Sequence, residues 1–214
     1  MTLARRSGKV RLSAPERRSA IVQAAIRLFA DKGFRGTTTR ELAEAAGVTE
    51  PVLYQHFATK QDLYTAIIES VCNMGQEAKD SRLEAAEQSG DDRGFFLRLG
   101  ELILDWHRRH ADIIRLLLYS GLGRHELADL FFERHVAVYY RMLSGYFRER
   151  IARGAFRNLD PYLAARGFTG MMAHQALAEV IFGDRRLARV RKKLIRTMVD
   201  IFLEGVTEER TRCK

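Results

Sequence analysis

The chain has 214 residues, of which 46% are hydrophobic and 29% are charged, so it can bury a sizeable core in one or two helical domains. Its net charge of +9 and isoelectric point near 9.9 favour a polyanionic partner, with nucleic acid ahead of a membrane surface. Cys72 and Cys213 lie too far apart for a metal or redox motif, which indicates reduced thiols in a cytosol. The stretch 167–184 is free of Lys and Arg but falls short of about 20 apolar residues, and no apolar region follows the basic amino terminus. We therefore expect a cytoplasmic protein without a membrane span or signal peptide.

Positive charge is concentrated at the start of the chain, where residues 1–60 hold 11 Lys and Arg against 5 Asp and Glu. Its leading segment RRSGKVR has no apolar periodicity, so residues 1–12 are predicted to be a disordered basic arm. Such an arm can follow a phosphate backbone or enter a minor groove, although a solvated tail is an equally good interpretation.

The first helix is predicted to begin after Ser13, with Pro15 in its first turn and Glu16 completing a capping box. It is expected to end near Gly33. Apolar residues at helical spacing give it one buried stripe. These residues are Ile21, Ala24, Ala25, Leu28 and Phe29.

Two short helices and a tight turn are predicted within residues 38–60, TTRELAEAAGVTEPVLYQHFATK. Thr38 and Glu41 form a capping box for the first helix, and Gly47 ends it. Thr49 is expected to cap the second helix, whose Pro51 lies in the first turn. Two short helices joined by a turn containing glycine are typical of the DNA-binding helix-turn-helix.

The faces of the second helix support this interpretation. At 100° per residue Leu53 and Phe57 point inward, while Gln55 lies on the opposite side, flanked by Val52 and Tyr54. Gln can pair with adenine, Val can contact a thymine methyl group, and Tyr and Thr can bind phosphate. The alternative is a solvated helix face, which the preceding turn and a further capping signal downstream make less favourable.

Residues 16–68 resemble the amino-terminal domain of TetR-type transcriptional regulators, through AAIRLFADKGFRGTTTRELAEAAGV and LYQHFATKQDLY. The resemblance implies a three-helix DNA-binding domain, here 13–60, in which some residues approach phosphates and others approach base edges. The implied phosphate contacts are Thr39, Arg40, Thr49, Tyr54, His56 and Lys60. Thr38, the capping residue, is counted among the DNA-binding residues as well. The implied base contacts are Val52 and Gln55, with Glu50 or Pro51 as further candidates.

Glu50 departs from the family pattern, in which many relatives have a basic or small residue at this position. Its carboxylate can accept a hydrogen bond from cytosine N4, or it can stabilise the positive end of its own helix. We prefer the second interpretation because a carboxylate beside phosphates is repelled unless a base compensates.

Residues 61–214 are predicted to form a larger antiparallel helical bundle. The fold class is thus all-α, with about nine helices in total. A capping signal of Thr59 and Asp62 opens the fourth helix, whose apolar stripe Leu63, Ile67, Val71 and Met74 extends beyond the DNA-binding part and makes it the expected lever. After a polar break at 89–92, further helices are predicted at 94–109, 111–119, 125–153, 161–182 and 185–208.

The family resemblance implies that the last two helices form a four-helix interface in a homodimer. Small residues in the penultimate helix permit close approach of another helix, and the last helix has a wide apolar face. The small residues are Gly167, Gly170, Ala173 and Ala176, and the apolar ones are Leu187, Val190, Leu194, Ile195, Met198 and Phe202. A core within one chain explains the same stripe, but a two-fold operator requires paired readers about 34 Å apart.

The last helix also carries a basic cluster, for which a solvated face is the preferred interpretation over a contact with nucleic acid or an acidic partner. Its members are Arg185, Arg186, Arg189, Arg191, Lys192, Lys193 and Arg196.

The resemblance further implies a small-molecule effector bound within the bundle. Large apolar side chains with a few polar tips are a plausible lining for an apolar or aromatic effector, although such residues more often form core. The candidates are Trp106, His107, His110, Phe131, Phe132, His135, Tyr139, Met142, Met171, Met172, His174 and Gln175.

Metal binding and catalysis find little support in the chain. His107 and His110 share a helix face but have basic neighbours, and HELAD at 125–129 lacks the second histidine of a zinc helix. No nucleophile elbow or phosphate-binding loop is present. We therefore expect no cofactor, no metal and no catalytic residue. The helix-turn-helix predicts a DNA-binding protein, and the family resemblance implies a ligand-responsive repressor of an inverted-repeat operator. The alternatives are an all-helical enzyme and a scaffold protein.

Overall fold

The computed structural model describes residues 12–76, 80–123, 129 and 131–207, with side chains omitted at 72–76, 134 and 135. Several predictions fall outside the described residues. They concern nearly all of the basic arm, His125, His135 as a lining residue, and the side chains of both cysteines. The described chain is all-α, as predicted, and its one β-bridge pairs Phe156 with Thr207. The helices are α1 (Ala14–Lys32), α2 (Thr39–Ala45), α3 (Glu50–His56), α4 (Lys60–Gln76), α5 (Ser81–Ser89), α6 (Asp92–Arg109), α7 (Ala111–Leu122), α8 (Ala137–Ala152), α9 (Pro161–Val180) and α10 (Arg185–Val206).

Two features of the bundle differ from the sequence-based prediction. Helix α5 was missed, because its opening signal is a single Asp80, whose carboxylate accepts hydrogen bonds from the amides of Arg82 and Leu83. The predicted helix 125–153 is replaced, within its described part, by a π-helical turn at Phe132–Val136 that leads into α8. Gly90 ends α5 in the left-handed conformation, at φ 73°, which confirms the predicted break.

The chain divides into two compact units, which meet between Ile67 and Ile68 within α4. The first unit packs α1 to α3 and the start of α4 around an aromatic group. The rings of Phe29, Phe34 and Tyr64 lie 5.4–5.6 Å from one another, centroid to centroid. Leu53 of α3 is also buried in this unit.

The second unit has a separate aromatic core centred on Phe96 of α6. Helix α6 packs against α5, α9 and α10, and α9 also packs against α8. The buried ring of Phe96 has its centroid 4.7–6.4 Å from those of other aromatic residues, which tie four elements together. These are Phe95, Tyr146, Phe147, Phe156, Phe168 and Phe202.

Two ion pairs show that α6 and α10 run antiparallel. Arg93 near the start of α6 pairs with Asp200 in the second half of α10 at 3.0 Å. Asp105 near the end of α6 pairs with Arg191 in the first half of α10 at 2.8 Å. The end of α6 therefore lies beside the beginning of α10. No described helix is long and apolar enough to cross a membrane.

Candidate nucleic-acid interface

The turn between α2 and α3 is fixed by local hydrogen bonds. Thr38 Oγ1 accepts from the amide of Glu41 at 3.2 Å, and the Glu41 carboxylate accepts from the amide of Thr38 at 2.8 Å, which completes the predicted capping box. Gly47 has φ 67°, a conformation that glycine adopts without the cost paid by other residues. The amide of Val48 then donates to the carbonyl of Ala43 at 2.9 Å. These contacts set the angle at which the chain enters α3.

Helix α3 is anchored on one side and exposed on the other. Leu53 and Phe57 are buried, with relative exposures of 2% and 4%, whereas Gln55 and Tyr54 are exposed. The Arg18 guanidinium lies over the Phe57 ring at 4.5 Å and so covers the end of the helix from α1. The division of faces predicted from the 100° periodicity is therefore confirmed. The role of Arg18 was missed, although it shares a helix face with Ile21 and Ala25 of the α1 stripe.

Glu50 joins α3 to α2. Thr39 Oγ1 donates to Glu50 Oε1 at 2.8 Å in a partly buried hydrogen bond. The two side chains expected at DNA are thus bonded to each other, and the carboxylate lies in the first turn of α3, as expected for a helix-stabilising role. Thr49 occupies the N-cap position with extended backbone, but its side chain makes no capping hydrogen bond, so the predicted cap is wrong in this respect.

The Lys60 ammonium group points into the first unit. It donates to the carbonyl oxygen of Phe34 and to that of Thr37 at 2.5 Å, and it lies 4.2 Å from the centroid of the Phe34 ring. Burial lowers the pKa of Lys60. Two of its three N–H donors are therefore used within the protein, and Lys60 holds the loop after α1 against α4. The prediction that Lys60 binds phosphate is therefore corrected: its main contacts are with the backbone and the Phe34 ring of its own unit.

A second cation links the two helices that this loop joins. Lys32 Nζ lies 2.7 Å from Glu41 Oε1, linking the end of α1 to the start of α2. The hydrogen bond from Lys32, with those from Thr38, lowers the pKa of the Glu41 carboxyl to about 2. Glu41 thus remains ionised and keeps α2 capped down to strongly acid pH.

The remaining candidates for DNA contact occupy the outward side of α2 and α3. Side chains that are exposed belong to Thr38, Arg40, Thr49 and Pro51, while Val52 and His56 are half-buried. The arrangement offers hydroxyl, amide, phenol and guanidinium donors around one short helix, which is suited to contacts with phosphates and base edges.

Comparison with known proteins follows the same division of the chain. Residues 21–67 match the family model for bacterial regulatory proteins of the tetR family, and residues 99–205 match the model for the AefR-like transcriptional repressor, C-terminal domain. Over 196 residues the chain is 30% identical to the nucleoid occlusion factor SlmA of Marinobacter nauticus, covering 89% of this chain and 92% of that protein. The chain belongs to the TetR family.

Two further relatives extend over most of this TetR-family chain. The uncharacterized HTH-type transcriptional regulator YvkB of Bacillus subtilis is 24% identical over 193 residues, covering 88% of this chain and 96% of YvkB. The crystal structure of AibR in complex with isovaleryl coenzyme A and operator DNA superposes with a TM-score of 0.66 at 26% identity, covering 87% of this chain and 97% of AibR. This chain is a transcriptional regulator by its family membership.

In this TetR-family regulator the predicted effector residues fall into separate groups. The first group lies at the end of α6, where the Trp106 ring is 5.4 Å from that of His107 and 5.2 Å from that of His110. His107 Nδ1 is 2.8 Å from the carbonyl oxygen of Ile103. Burial lowers the pKa of both histidines, and the charge of Arg109 lowers that of His110 further. These histidines are therefore neutral near pH 7.

The second group is divided between the two sides of α9. Met172 is fully buried, and a Cβ added to Gly100 would lie 3.1 Å from its Cε, so Met172 fills the core instead of lining a cavity. His174 is exposed on the other side of the helix, and Met171 and Gln175 are half-buried. One lining that contains both Met172 and His174 is therefore contradicted for a single chain.

The third group lies on α8 and the π-helical turn before it. Phe132, Tyr139 and Met142 are exposed by 38%, 38% and 54%, and Phe131 is half-buried. Among the described residues no cluster of three or more His, Cys, Asp or Glu side chains is placed to hold a metal ion.

Proposed function

We propose that the protein is a homodimeric, ligand-responsive repressor that binds an inverted-repeat operator. The observation that carries this proposal is the division of α3, with Leu53 and Phe57 buried while Gln55 and Tyr54 face solvent. A helix held in this way can enter a major groove with its outer face towards the bases. Operator occupancy then blocks transcription.

The proposed contacts follow from exposure and chemistry. Gln55 reads adenine and Val52 contacts a thymine methyl group, whereas Tyr54, Arg40 and the free-standing Thr49 hydroxyl bind phosphates. The further phosphate contacts are His56, the third N–H of Lys60 and the backbone amide of Thr39 at the start of α2. The predicted contacts through the Thr38 and Thr39 hydroxyls need correction, because their protons are already donated to Glu41 and Glu50. Glu50 and Pro51 shape the start of α3 beside the bases.

The reader helix is tested by Gln55→Ala, with Gln23→Ala on the exposed surface of α1 as the matched control. Operator fragments are first recovered by sequencing the DNA that the purified protein retains from a random pool. Loss of a bidentate base contact costs about 1–3 kcal/mol, so Gln55→Ala should bind the recovered operator about 5- to 150-fold more weakly and bind scrambled duplex as before. If both variants keep full operator preference, α3 does not read bases through Gln55.

The proposed dimer uses the outward faces of α9 and α10. Leu163, Phe182 and Ile201 are exposed by 64%, 81% and 55%, and a Cβ on Gly170 would have no atom within 4 Å. Exposed apolar side chains of this size, together with the open space at Gly170, are suited to packing against the same faces of a second copy. A dimer formed through this face supplies the two readers that an inverted repeat requires.

Dimerisation is tested by Ile201→Asp, with Val138→Asp on α8 as the control because Val138 is also exposed, by 39%. Analytical ultracentrifugation should find monomer for Ile201→Asp and dimer for Val138→Asp, with helical circular dichroism unchanged in both. A dimer that survives Ile201→Asp places the interface elsewhere.

We propose a small, mainly apolar effector for the bundle. The AibR complex with isovaleryl coenzyme A supports the binding of a ligand at the level of the family, but that ligand joins an apolar acyl group to an anionic coenzyme, so the apolar character rests on the side chains of this chain. The effector acts by binding one conformation of the bundle better than the other, because equal affinity for both conformations shifts nothing. A 100-fold preference corresponds to about 2.7 kcal/mol, which empties a weakly held operator. Candidate effectors are titrated against a preformed operator complex, and an affinity for DNA that no effector alters removes the sensing part of the proposal.

A further inference from the structure

Helix α10 begins with an unusual run of charge. Between residues 185 and 199 it contains seven Lys and Arg residues and no Asp or Glu. Four of these cations, Arg185, Arg189, Lys192 and Arg196, are spaced by four, three and four residues, so they lie on one helix face. All four are exposed, and we call this set the α10 ridge.

The α10 ridge differs from two arginines near it, Arg191 and Arg93, in having no acidic partner. Arg191, on a different face of α10, pairs with Asp105 at 2.8 Å, and Arg93 of α6 pairs with Asp200 at 3.0 Å. Within the described part of the chain, no ion pair involves a member of the ridge. The ridge is therefore a row of positive charge without ion pairs in the described chain. The acidic residues that flank it are Asp184, which caps α10, and Asp200, which pairs with Arg93.

Helix stability does not account for this row. Like charges three or four residues apart repel each other, and cations near the beginning of a helix oppose the helix dipole. A solvated helix face usually alternates acidic and basic residues, and the ridge has no such alternation. A partner that supplies negative charge removes both penalties.

The end of α6 adds positive charge to the same part of the bundle. Because α6 and α10 are antiparallel, the last turn of α6 lies beside the first turns of α10. That turn contains Arg108 and Arg109, both exposed. One end of the second unit is thus basic on two neighbouring helices.

We propose that the α10 ridge binds the phosphate backbone of double-stranded DNA as a second, sequence-independent contact of this regulator. Eleven residues of α-helix separate Arg185 from Arg196, a rise of about 16 Å. Along the duplex axis this length corresponds to about five base pairs, since each strand carries one phosphate per 3.4 Å of axis. The proposal rests on the proposed DNA-binding function for its choice of polyanion, since the helix-turn-helix raises the local concentration of DNA around the ridge.

The test compares two triple variants of the full-length protein with the same change in net charge. The ridge variant is Arg189→Gln, Lys192→Gln and Arg196→Gln. The control replaces three exposed arginines away from the ridge, Arg82→Gln, Arg148→Gln and Arg157→Gln. Binding to a recovered operator and to a scrambled duplex of equal length is measured by fluorescence anisotropy across a series of salt concentrations.

Each phosphate contact contributes about 0.9 to the slope of log affinity against log salt concentration. The ridge variant should lower this slope by about 2 to 3 on both duplexes while keeping the ratio of operator to scrambled affinity, and the control should change the slope by less than 1. Equal slopes for the two variants overturn the proposal. The proposal is also overturned if the ridge variant no longer binds anionic phospholipid vesicles but binds DNA as the wild type does. Failure of the operator proposal is separate, because it abolishes the wild-type preference for operator over scrambled duplex and leaves the slope difference intact.

Discussion

Replacing Glu50 with glutamine separates the two roles considered for this residue. The amide oxygen of glutamine can still accept the hydrogen bond that Thr39 Oγ1 donates at 2.8 Å, so α2 and α3 should stay joined. The negative charge is lost. We therefore expect Glu50→Gln to fold normally and to bind all DNA sequences more tightly, with its operator preference unchanged.

The size of the effect follows from two terms. The first term is the hydrogen bond from Thr39. A buried hydrogen bond to a charged group contributes about 1.5–3 kcal/mol, and this partly buried one contributes about 1 kcal/mol. Glu50→Gln mostly retains this contribution, whereas Glu50→Ala would lose it. A carboxylate about 7 Å from a phosphate is repelled by about 0.6 kcal/mol in water. Two flanking phosphates therefore give about 1 kcal/mol, a gain in affinity of roughly fivefold at low salt.

The assay is DNA binding by fluorescence anisotropy at low and high salt, with urea unfolding to follow stability. Asp31→Asn is the control, because Asp31 is an exposed acid of the same unit that lies on α1. Glu50→Gln should tighten binding to operator and scrambled duplex alike, and the gain should shrink at high salt. Weaker operator binding with a relaxed preference at a single base pair would instead show that Glu50 reads cytosine.

Three further predictions concern the second unit. Phe96→Ala removes the ring at the centre of the aromatic core and should lower the free energy of unfolding by about 3–5 kcal/mol in urea; a loss below about 1 kcal/mol would contradict this packing. Gly100→Ala should destabilise the protein, because its new Cβ would lie 3.1 Å from Met172 Cε and 3.2 Å from Ile195 Cγ2. Gly145→Ala in α8 has no such close contact and should stabilise the protein by up to about 1 kcal/mol. An equal rise in the thermal unfolding temperature of both variants would refute this difference. Arg98 lowers the pKa of Asp80 from 3.8 to about 2, so its stabilisation is present above pH 4 and is lost as the pH falls towards 2. Asp80→Asn should thus lower the free energy of unfolding by about 1 kcal/mol at pH 6 and by little at pH 2. If urea unfolding finds the same difference between wild type and variant at both pH values, the pKa of Asp80 does not contribute to stability in this way.

The sequence by itself determined the fold class and the face of α3. Both depend on periodicity and on capping residues, which act within a few positions of the chain. The boxes at Ser13 and Thr38, the glycine turn at 47 and the burial of Leu53 opposite Gln55 are all local in this sense, and the structure contains each of them.

Only the tertiary structure decided which side chains are already occupied. Thr39 and Glu50 are eleven residues apart and Lys60 is 26 residues from Phe34, so neither contact has a signal in local spacing. The same holds for Met172 and His174, since both suit a ligand lining by type and only the packing of α9 directs one to the core and the other to solvent. Long-range contacts are set by how whole helices pack, and in the described chain that packing pairs Asp200 with Arg93 and leaves the α10 ridge without an ion pair.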